Sequence, residues 1–155
     1  MVVEKGPVWW VKIADFGISK RRHELTSLQT LQRGTFGFAA PEAVGFSSDE
    51  RGAAQVTALD MWSLGAVAFR IMTNTGAFPN FIELAEYCSE KRKFPADRLK
   101  ACGISEAGQD FVTRLMLLKP EKRPVADQAR QHRWIQSRKV PEVDVSKAGM
   151  TAETR

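Results

Sequence analysis

The chain has 155 residues, of which 43% are hydrophobic and 26% are charged, and its formal net charge is +5. This length and apolar content exclude a wholly disordered chain and allow one domain, or part of a larger one. Two cysteines, Cys88 and Cys102, are too few for a disulfide framework and have no metal-ligand spacing with either histidine. Because neither a transmembrane-length stretch nor a signal-peptide pattern occurs, we expect an intracellular protein without a membrane partner.

The basic excess lies partly in a group of arginines and lysines between positions 114 and 139. These residues alternate with an amphipathic helical pattern and lack a series of aromatic residues for base stacking. A solvated helix face explains them better than a nucleic-acid-binding surface, whose affinity would depend steeply on salt. We therefore expect no nucleic-acid partner.

The first predicted elements are two short strands. Val2-Val3 and residues 8–14 are rich in β-branched and aromatic residues, and Gly6-Pro7 lies between them. This pattern predicts a β-hairpin. The hairpin leads into Asp15-Phe16-Gly17, after which residues 19–32 are polar and have no sustained period, as in a loop.

The rest of the chain is predicted to be helical as far as a disordered tail over 137–155. Thr57 is the predicted N-cap of a helix over 58–73, whose apolar residues surround the axis as in a buried helix. Gly45 ends a short helix that begins at Pro41, because glycine adopts the left-handed cap conformation without steric cost. Three further helices are predicted: one with the apolar face Phe81, Leu84, Ala85 and Cys88, one capped by Ser105, and one with Pro124 in its first turn.

Four short motifs together resemble a known family. They are Asp15-Phe16-Gly17, Ala40-Pro41-Glu42, the run Asp60-Met61-Trp62-Ser63-Leu64-Gly65, and Arg123 within a Lys-Pro-Glu-Lys-Arg-Pro context. In this order the motifs resemble the C-terminal part of a eukaryotic-type serine/threonine protein kinase domain, here spanning 1–136. The resemblance implies a mainly α fold, the C-terminal lobe of the protein-kinase-like fold, with an N-terminal β-hairpin leading into the activation segment and no N-lobe.

The same resemblance implies the use of ATP and Mg²⁺. Asp15 would be a catalytic residue and the metal ligand, and Phe16 and Gly17 would complete the cofactor-binding turn. Thr35 would be the second catalytic residue, since it is typical of the serine/threonine branch, where its hydroxyl bridges the catalytic aspartate and a neighbouring lysine. As an isolated tripeptide, the motif at Asp15 would be weak support, since such tripeptides also occur by chance.

The resemblance assigns the remaining site residues to three groups. Activation-loop phosphosite candidates are Thr26, Ser27 and Thr30. The segment that binds the substrate residue following the phosphoacceptor comprises Gly34, Thr35, Phe36, Gly37 and Phe38, with Phe38 in place of the tyrosine usual in the family. Structural roles fall to the ion pair of Glu42 with Arg123 and to Asp60 and Trp62.

Several kinase segments do not occur within these 155 residues. The sequence contains no Gly-x-Gly-x-x-Gly, no Val-Ala-x-Lys and no His-Arg-Asp with a downstream asparagine. We therefore expect no kinase activity from the chain alone, apolar side chains left exposed on the helix over 58–73, and an unpaired buried carboxylate at Asp60. Two interpretations remain. The one we prefer is the C-terminal half of a serine/threonine kinase whose sequence is given only in part, and the other is a non-catalytic kinase-derived module that binds a docking partner.

Overall fold

The computed structural model describes residues 2–4, 10–11, 36–46 and 53–137, with side chains at 37–46 and 57–137. Two strands, β1 (Val2–Glu4) and β2 (Trp10–Val11), pair antiparallel. Val2 lies opposite Val11 and Glu4 lies opposite Trp10, so the register shifts between the two pairs. The predicted pairing is confirmed, and the other residues predicted to be strand lie outside the described part.

The described chain also contains six α-helices and three single turns of 3₁₀-helix. The helices are α1 (Ala53–Thr73), α2 (Phe81–Cys88), α3 (Ala96–Ala101), α4 (Glu106–Leu115), α5 (Ala126–Arg130) and α6 (Arg133–Gln136), and the 3₁₀ turns are Phe36–Phe38, Pro41–Ala43 and Pro120–Lys122. None of the helices in the described ranges is long and apolar enough to cross a membrane.

The long helix α1 begins earlier than its sequence pattern predicts. Thr57, the predicted N-cap, lies inside the helix, which starts at Ala53. Alanine and glutamine are good helix formers, and no glycine or proline interrupts 53–57, so the helix continues past the predicted start. The prediction of the N-terminal boundary was therefore wrong by about one turn.

Only one face of α1 is fully buried. Trp62, Ala66 and Phe69 on that face are at most 1% exposed. On the opposite face Leu64 is 47%, Val67 41% and Ile71 79% exposed. The prediction of a helix buried on every side is therefore wrong, while the expectation of exposed apolar side chains on this helix is confirmed.

The buried face of α1 approaches α4 closely at Gly65. A Cβ atom placed on Gly65 would lie 2.6 Å from Cγ of Met116 and 2.9 Å from Cβ of Leu115. Real Cβ atoms do not come this close to carbon, so the crossing of the two helices requires glycine here. Leu115 and Met116 are themselves at most 1% exposed and belong to the same core.

The shorter helices differ from their predictions in three respects. In α2 the buried residues are Leu84 and Tyr87, and Phe81 is 52% exposed, so the predicted apolar face is rotated. Pro124 precedes α5, which begins only at Ala126, since the backbone is extended at both Arg123 and Val125. The helix α3 was not predicted. The predicted N-cap Ser105 of α4 is confirmed, since its side chain accepts the N–H of Gly108.

Candidate functional site

The described residues 36–46, which include the end of the predicted substrate-binding residues 34–38 and are called the substrate segment below, form a pair of 3₁₀ turns. The first is Phe36–Phe38, and the second is Pro41–Ala43, whose backbone is closed by a 2.9 Å bond from the N–H of Ala43 to the carbonyl of Ala40. Gly45 has φ +93°, the left-handed conformation that its predicted capping role requires. Ala40 and the second turn are buried, so this end of the segment is fixed in the core.

Glu42 and Arg123 form a buried, bidentate ion pair. Nη1 of Arg123 donates to Oε1 of Glu42 at 2.6 Å, and Nη2 donates to Oε2 at 2.9 Å. The side chain of Arg123 is 0% exposed and that of Glu42 is 7% exposed. Two parallel charge-assisted bonds in a low-dielectric interior fix the orientation of both groups. The pair therefore holds the end of the segment against the helices that follow it.

Arg123 also binds backbone on two other elements. Its Nε donates to the carbonyl of Leu117 at 2.7 Å and its Nη1 to that of Ala58 in α1 at 2.9 Å. Its guanidinium lies 5.0 Å from the ring centroid of Trp62, a favourable cation–π distance. One side chain thus connects the substrate segment, α1 and the loop after α4.

Phe38 contacts the core with its ring and α1 with its carbonyl. The half-buried ring packs against the hydrophobic core. The hydroxyl of Ser63, three residues after Asp60 in α1, donates to the Phe38 carbonyl at 2.9 Å. The tyrosine hydroxyl that the family usually carries at position 38 is absent here, but the aromatic packing is retained.

The other predicted site residues divide into placed and unplaced ones. Trp62 is 1% exposed, whereas Asp60 lies at the exposed surface of α1. The expectation of a buried, unpaired carboxylate at Asp60 is therefore wrong, and its desolvation cost does not arise. Eight predicted site residues lie outside the described residues: Asp15, Phe16, Gly17, Thr26, Ser27, Thr30, Gly34 and Thr35.

The described part of the chain has no cluster of potential metal ligands. No group of three or more histidine, cysteine, aspartate or glutamate side chains there could hold a metal ion. The predicted Mg²⁺ ligand Asp15 is outside those residues, so its role stays a prediction. As a carboxylate, it has the donor chemistry that a hard cation prefers.

Sequence reasoning missed Ser63 and Tyr87. The phenol of Tyr87 donates to the Met116 carbonyl at 2.9 Å, and its ring stacks on Phe78 with centroids 4.8 Å apart. Burial raises the pKa of Tyr87 to about 12, and burial also raises the pKa of the neighbouring Cys88 to about 11. Ser63 stood within a recognised motif, but no spacing rule indicates that its hydroxyl reaches residue 38.

Known sequences resemble this chain over most of its length. The protein kinase domain family matches residues 1–135. The calcium/calmodulin-dependent protein kinase cmkA of Emericella nidulans is 29% identical over 135 residues, covering 86% of this chain and 31% of cmkA. The serine/threonine-protein kinase cds1 of Schizosaccharomyces pombe is 32% identical over 127 residues, covering 80% of this chain and 27% of cds1. The chain thus spans about a third or less of these relatives.

Solved structures resemble the fold. The structure of Rad53 residues 1–466 in complex with AMP-PNP is 28% identical with a TM-score of 0.53, covering 66% of this chain and 26% of that one. The twitchin kinase region from C. elegans is 28% identical with a TM-score of 0.52, covering 68% of this chain and 18% of that one. With the family match over 1–135, these likenesses show that the chain belongs to the protein kinase domain family, in its serine/threonine branch, with the mainly helical fold of a kinase C-terminal lobe.

Proposed function

We propose that the polypeptide carrying these residues transfers phosphate from ATP to serine or threonine of protein substrates. In this proposal, the described helices form the part that binds the substrate. The observation that carries it is the buried ion pair between Glu42 and Arg123, which anchors the segment ending at residue 46 on the helical core. A segment that positions an extended peptide through its backbone must be rigid. This segment is held by the Ser63 bond to Phe38 and by the two Arg123 bonds to Glu42.

The substrate end of the site would be formed by Gly34, Thr35 and Phe36–Phe38. Phe38 is held on α1, so the backbone before it would present a fixed surface to the residue that follows the phosphoacceptor. Thr35 would orient the acceptor side through its hydroxyl. Phosphates on Thr26, Ser27 or Thr30 would order the preceding loop by pairing with arginines.

The nucleotide end of the site would depend on Asp15. Its carboxylate would hold Mg²⁺, with Phe16 and Gly17 shaping the turn around it. When bound, ATP supplies the phosphoryl group and Mg²⁺ neutralises the negative charge that develops during the transfer. One carboxylate is at most part of such a site. The glycine-rich loop, its lysine and the catalytic-loop aspartate do not occur in these 155 residues. We therefore propose that the 155-residue chain has no kinase activity by itself.

The proposal includes the organisation of the chain. Residues 1–136 would be one partial kinase domain and 137–155 a disordered tail. The protein would act inside the cell on protein substrates, without a nucleic-acid partner. These statements follow from the family and the sequence pattern.

The test uses the product of the gene, tagged at its C-terminus in the source cells and purified. Its intact mass is compared with the 17.3 kDa of these 155 residues. Purified protein is incubated with Mg²⁺–ATP and serine- or threonine-containing peptides, beside an Asp15→Asn variant. We expect transfer by the unsubstituted product and its loss in the variant. Transfer unaffected by Asp15→Asn would contradict the proposal.

A second candidate is a non-catalytic module derived from a kinase. The observation that favours it is the exposed apolar face of α1 formed by Leu64, Val67 and Ile71, which a docking partner could cover. This function predicts a soluble complex of defined composition and no affinity for nucleotide. Recovery of the chain only as aggregate, or measurable binding of Mg²⁺–ATP, would contradict it.

A further inference from the structure

The hydroxyl of Ser63 joins two parts of the molecule that are distant in sequence. It donates to the carbonyl of Phe38 at 2.9 Å across 25 residues, in a half-buried position. Hydroxyls inside helices usually bond to the carbonyl four residues earlier, as the hydroxyl of Thr113 does to Gln109 at 2.8 Å in α4. Ser63 instead uses its donor on another element.

The donor is held in a rigid place. Its neighbour Trp62 is 1% exposed, and two residues later Gly65 packs directly on Leu115 and Met116. A shift of α1 at this point would disturb the close packing of α1 against Leu115 and Met116. The close packing of α1 therefore holds the Ser63 hydroxyl in place, and the hydroxyl in turn positions the first 3₁₀ turn.

The acceptor is in the segment that the proposed function assigns to the substrate. The second turn of that segment is fixed separately by the bonds of Arg123 to Glu42. The first turn, Phe36–Phe38, receives its connection to α1 through Phe38. Loss of the Ser63 bond would thus loosen the substrate-facing turn without releasing the buried end of the segment.

We propose that Ser63 is a positioning residue for the substrate. Its hydroxyl sets the position of the backbone at residues 36–38, and so the fit of the residue that follows the phosphoacceptor. This inference rests on the proposed function. The side chain itself touches neither substrate nor nucleotide in this account, and it acts through the carbonyl of Phe38.

The first experiment measures amide hydrogen exchange in the 155-residue chain and its Ser63→Ala variant. Alanine is a better helix former than serine, so α1 is expected to remain folded. Amides of residues 37–40 are expected to exchange about three- to tenfold faster in the variant, the effect of losing one neutral hydrogen bond. Thr113→Ala is the matched control, since it removes a helical hydroxyl whose bond stays within α4.

The second experiment measures peptide phosphorylation by the purified gene product. Ser63→Ala is expected to raise the KM for peptide about three- to tenfold, with kcat and the KM for ATP unchanged, and to weaken selection for the residue after the acceptor. Thr113→Ala is expected to change none of these. A merely structural role for Ser63 would not separate the two KM values.

Each result decides the inference. Unchanged exchange at 37–40 would overturn the anchoring role. Faster exchange with unchanged peptide KM and unchanged selectivity would overturn the positioning of substrate. Absence of transfer by the unsubstituted product would overturn the proposed function and the substrate role with it, and the exchange result would still show whether Ser63 anchors the turn.

Discussion

Arg123 uses all three nitrogens of its guanidinium, on a carboxylate and on backbone carbonyls, while its plane lies over Trp62. Removing it would take two charge-assisted hydrogen bonds away from the buried Glu42 carboxylate. Removing one partner of a buried ion pair typically destabilises a protein by about 3–5 kcal/mol. The residue is thus a structural requirement for the substrate segment.

We predict that Arg123→Ala lowers the free energy of unfolding by about 3–5 kcal/mol. Arg123→Lys keeps the charge but cannot form the bidentate pair, so its loss is expected to be intermediate. Urea unfolding followed by tryptophan fluorescence measures both. Arg130→Ala is the control, because Arg130 and Asp127 are an exposed pair 3.8 Å apart. That variant is expected to change stability by less than about 1 kcal/mol, and equal losses would contradict the account.

Tyr87 is the only tyrosine of the chain, so its ionisation can be followed directly. Burial raises its pKa to about 12, which means the folded state favours the neutral phenol. A raised pKa gives stability that is complete below the unfolded value near 10 and is lost as the pH rises toward about 12. Absorbance at 295 nm measures the titration.

We predict a midpoint well above 10 in the native chain and near 10 in concentrated urea. Stability measured at increasing pH is expected to fall over the same interval. Tyr87→Phe removes the phenol and is expected to make that fall smaller, and the part that remains is expected from Cys88, whose pKa burial also raises. A native midpoint equal to the one in urea would show that the phenol is not buried against the Met116 carbonyl in solution.

Residues differ in how far the sequence predicts their roles. Glu42 and Arg123 are 81 residues apart and no local pattern connects them, yet both lie in motifs of the kinase family. Asp60 lies in such a motif as well, but its side chain is exposed here, because burial depends on what packs against α1. Contacts made by a backbone carbonyl, such as that of Phe38 with Ser63, leave no trace in residue type.

At the scale of elements, the crossing of α1 and α4 depends on the missing side chain of Gly65. We predict that Gly65→Ala destabilises the fold by about 1–2 kcal/mol. The gain from alanine's helix propensity is about 1 kcal/mol, and the overpacking against Met116 outweighs it. Thermal unfolding of Gly65→Ala, Met116→Ala and the double variant measures the effect.

The double variant provides the control for this crossing. Because the new methyl group would occupy space freed by Met116→Ala, the two changes are expected to be non-additive by at least about 0.5 kcal/mol. Additive losses, or a stabilised Gly65→Ala variant, would mean that the helices are further apart than the structure has them.

The two faces of α1 are predicted to respond very differently to truncation. Phe69 is 0% exposed, so Phe69→Ala is expected to cost about 3–5 kcal/mol. Ile71, two residues later, is 79% exposed, so Ile71→Ala is expected to change stability by less than about 0.5 kcal/mol. Urea unfolding of both variants measures the contrast. A large loss in Ile71→Ala would show that this face is covered in solution.

Elements were predicted from the sequence to the extent that one local signal dominated. Ser105 and Gly45 have side-chain or backbone properties that specify a helix end, and both act as predicted. Thr57 could cap a helix but lies within one, because the preceding alanines and glutamine extend it. The periodicity in α2 did not determine which face is buried, since Tyr87 lies in the core and Phe81 is half exposed.

For the whole molecule, the family and the helical fold were predictable because four motifs kept their order and spacing. The extent of burial was less predictable, since it depends on neighbours rather than on pattern. Leu64, Val67 and Ile71 form an exposed apolar face on α1, although apolar side chains grouped in this way are usually covered. Asp15 and Thr35 keep the chemistry of a kinase site in sequence, and their roles remain predictions.

The central claim is that this chain carries the substrate-binding part of a serine/threonine kinase. The most direct measurement incubates the purified gene product with Mg²⁺–ATP and a peptide library containing serine, threonine and tyrosine acceptors, and identifies the phosphorylated residue by mass spectrometry. The account predicts phosphate on serine or threonine, and none when the 155 residues are used alone. Phosphate on tyrosine, or no transfer by the gene product, would contradict it.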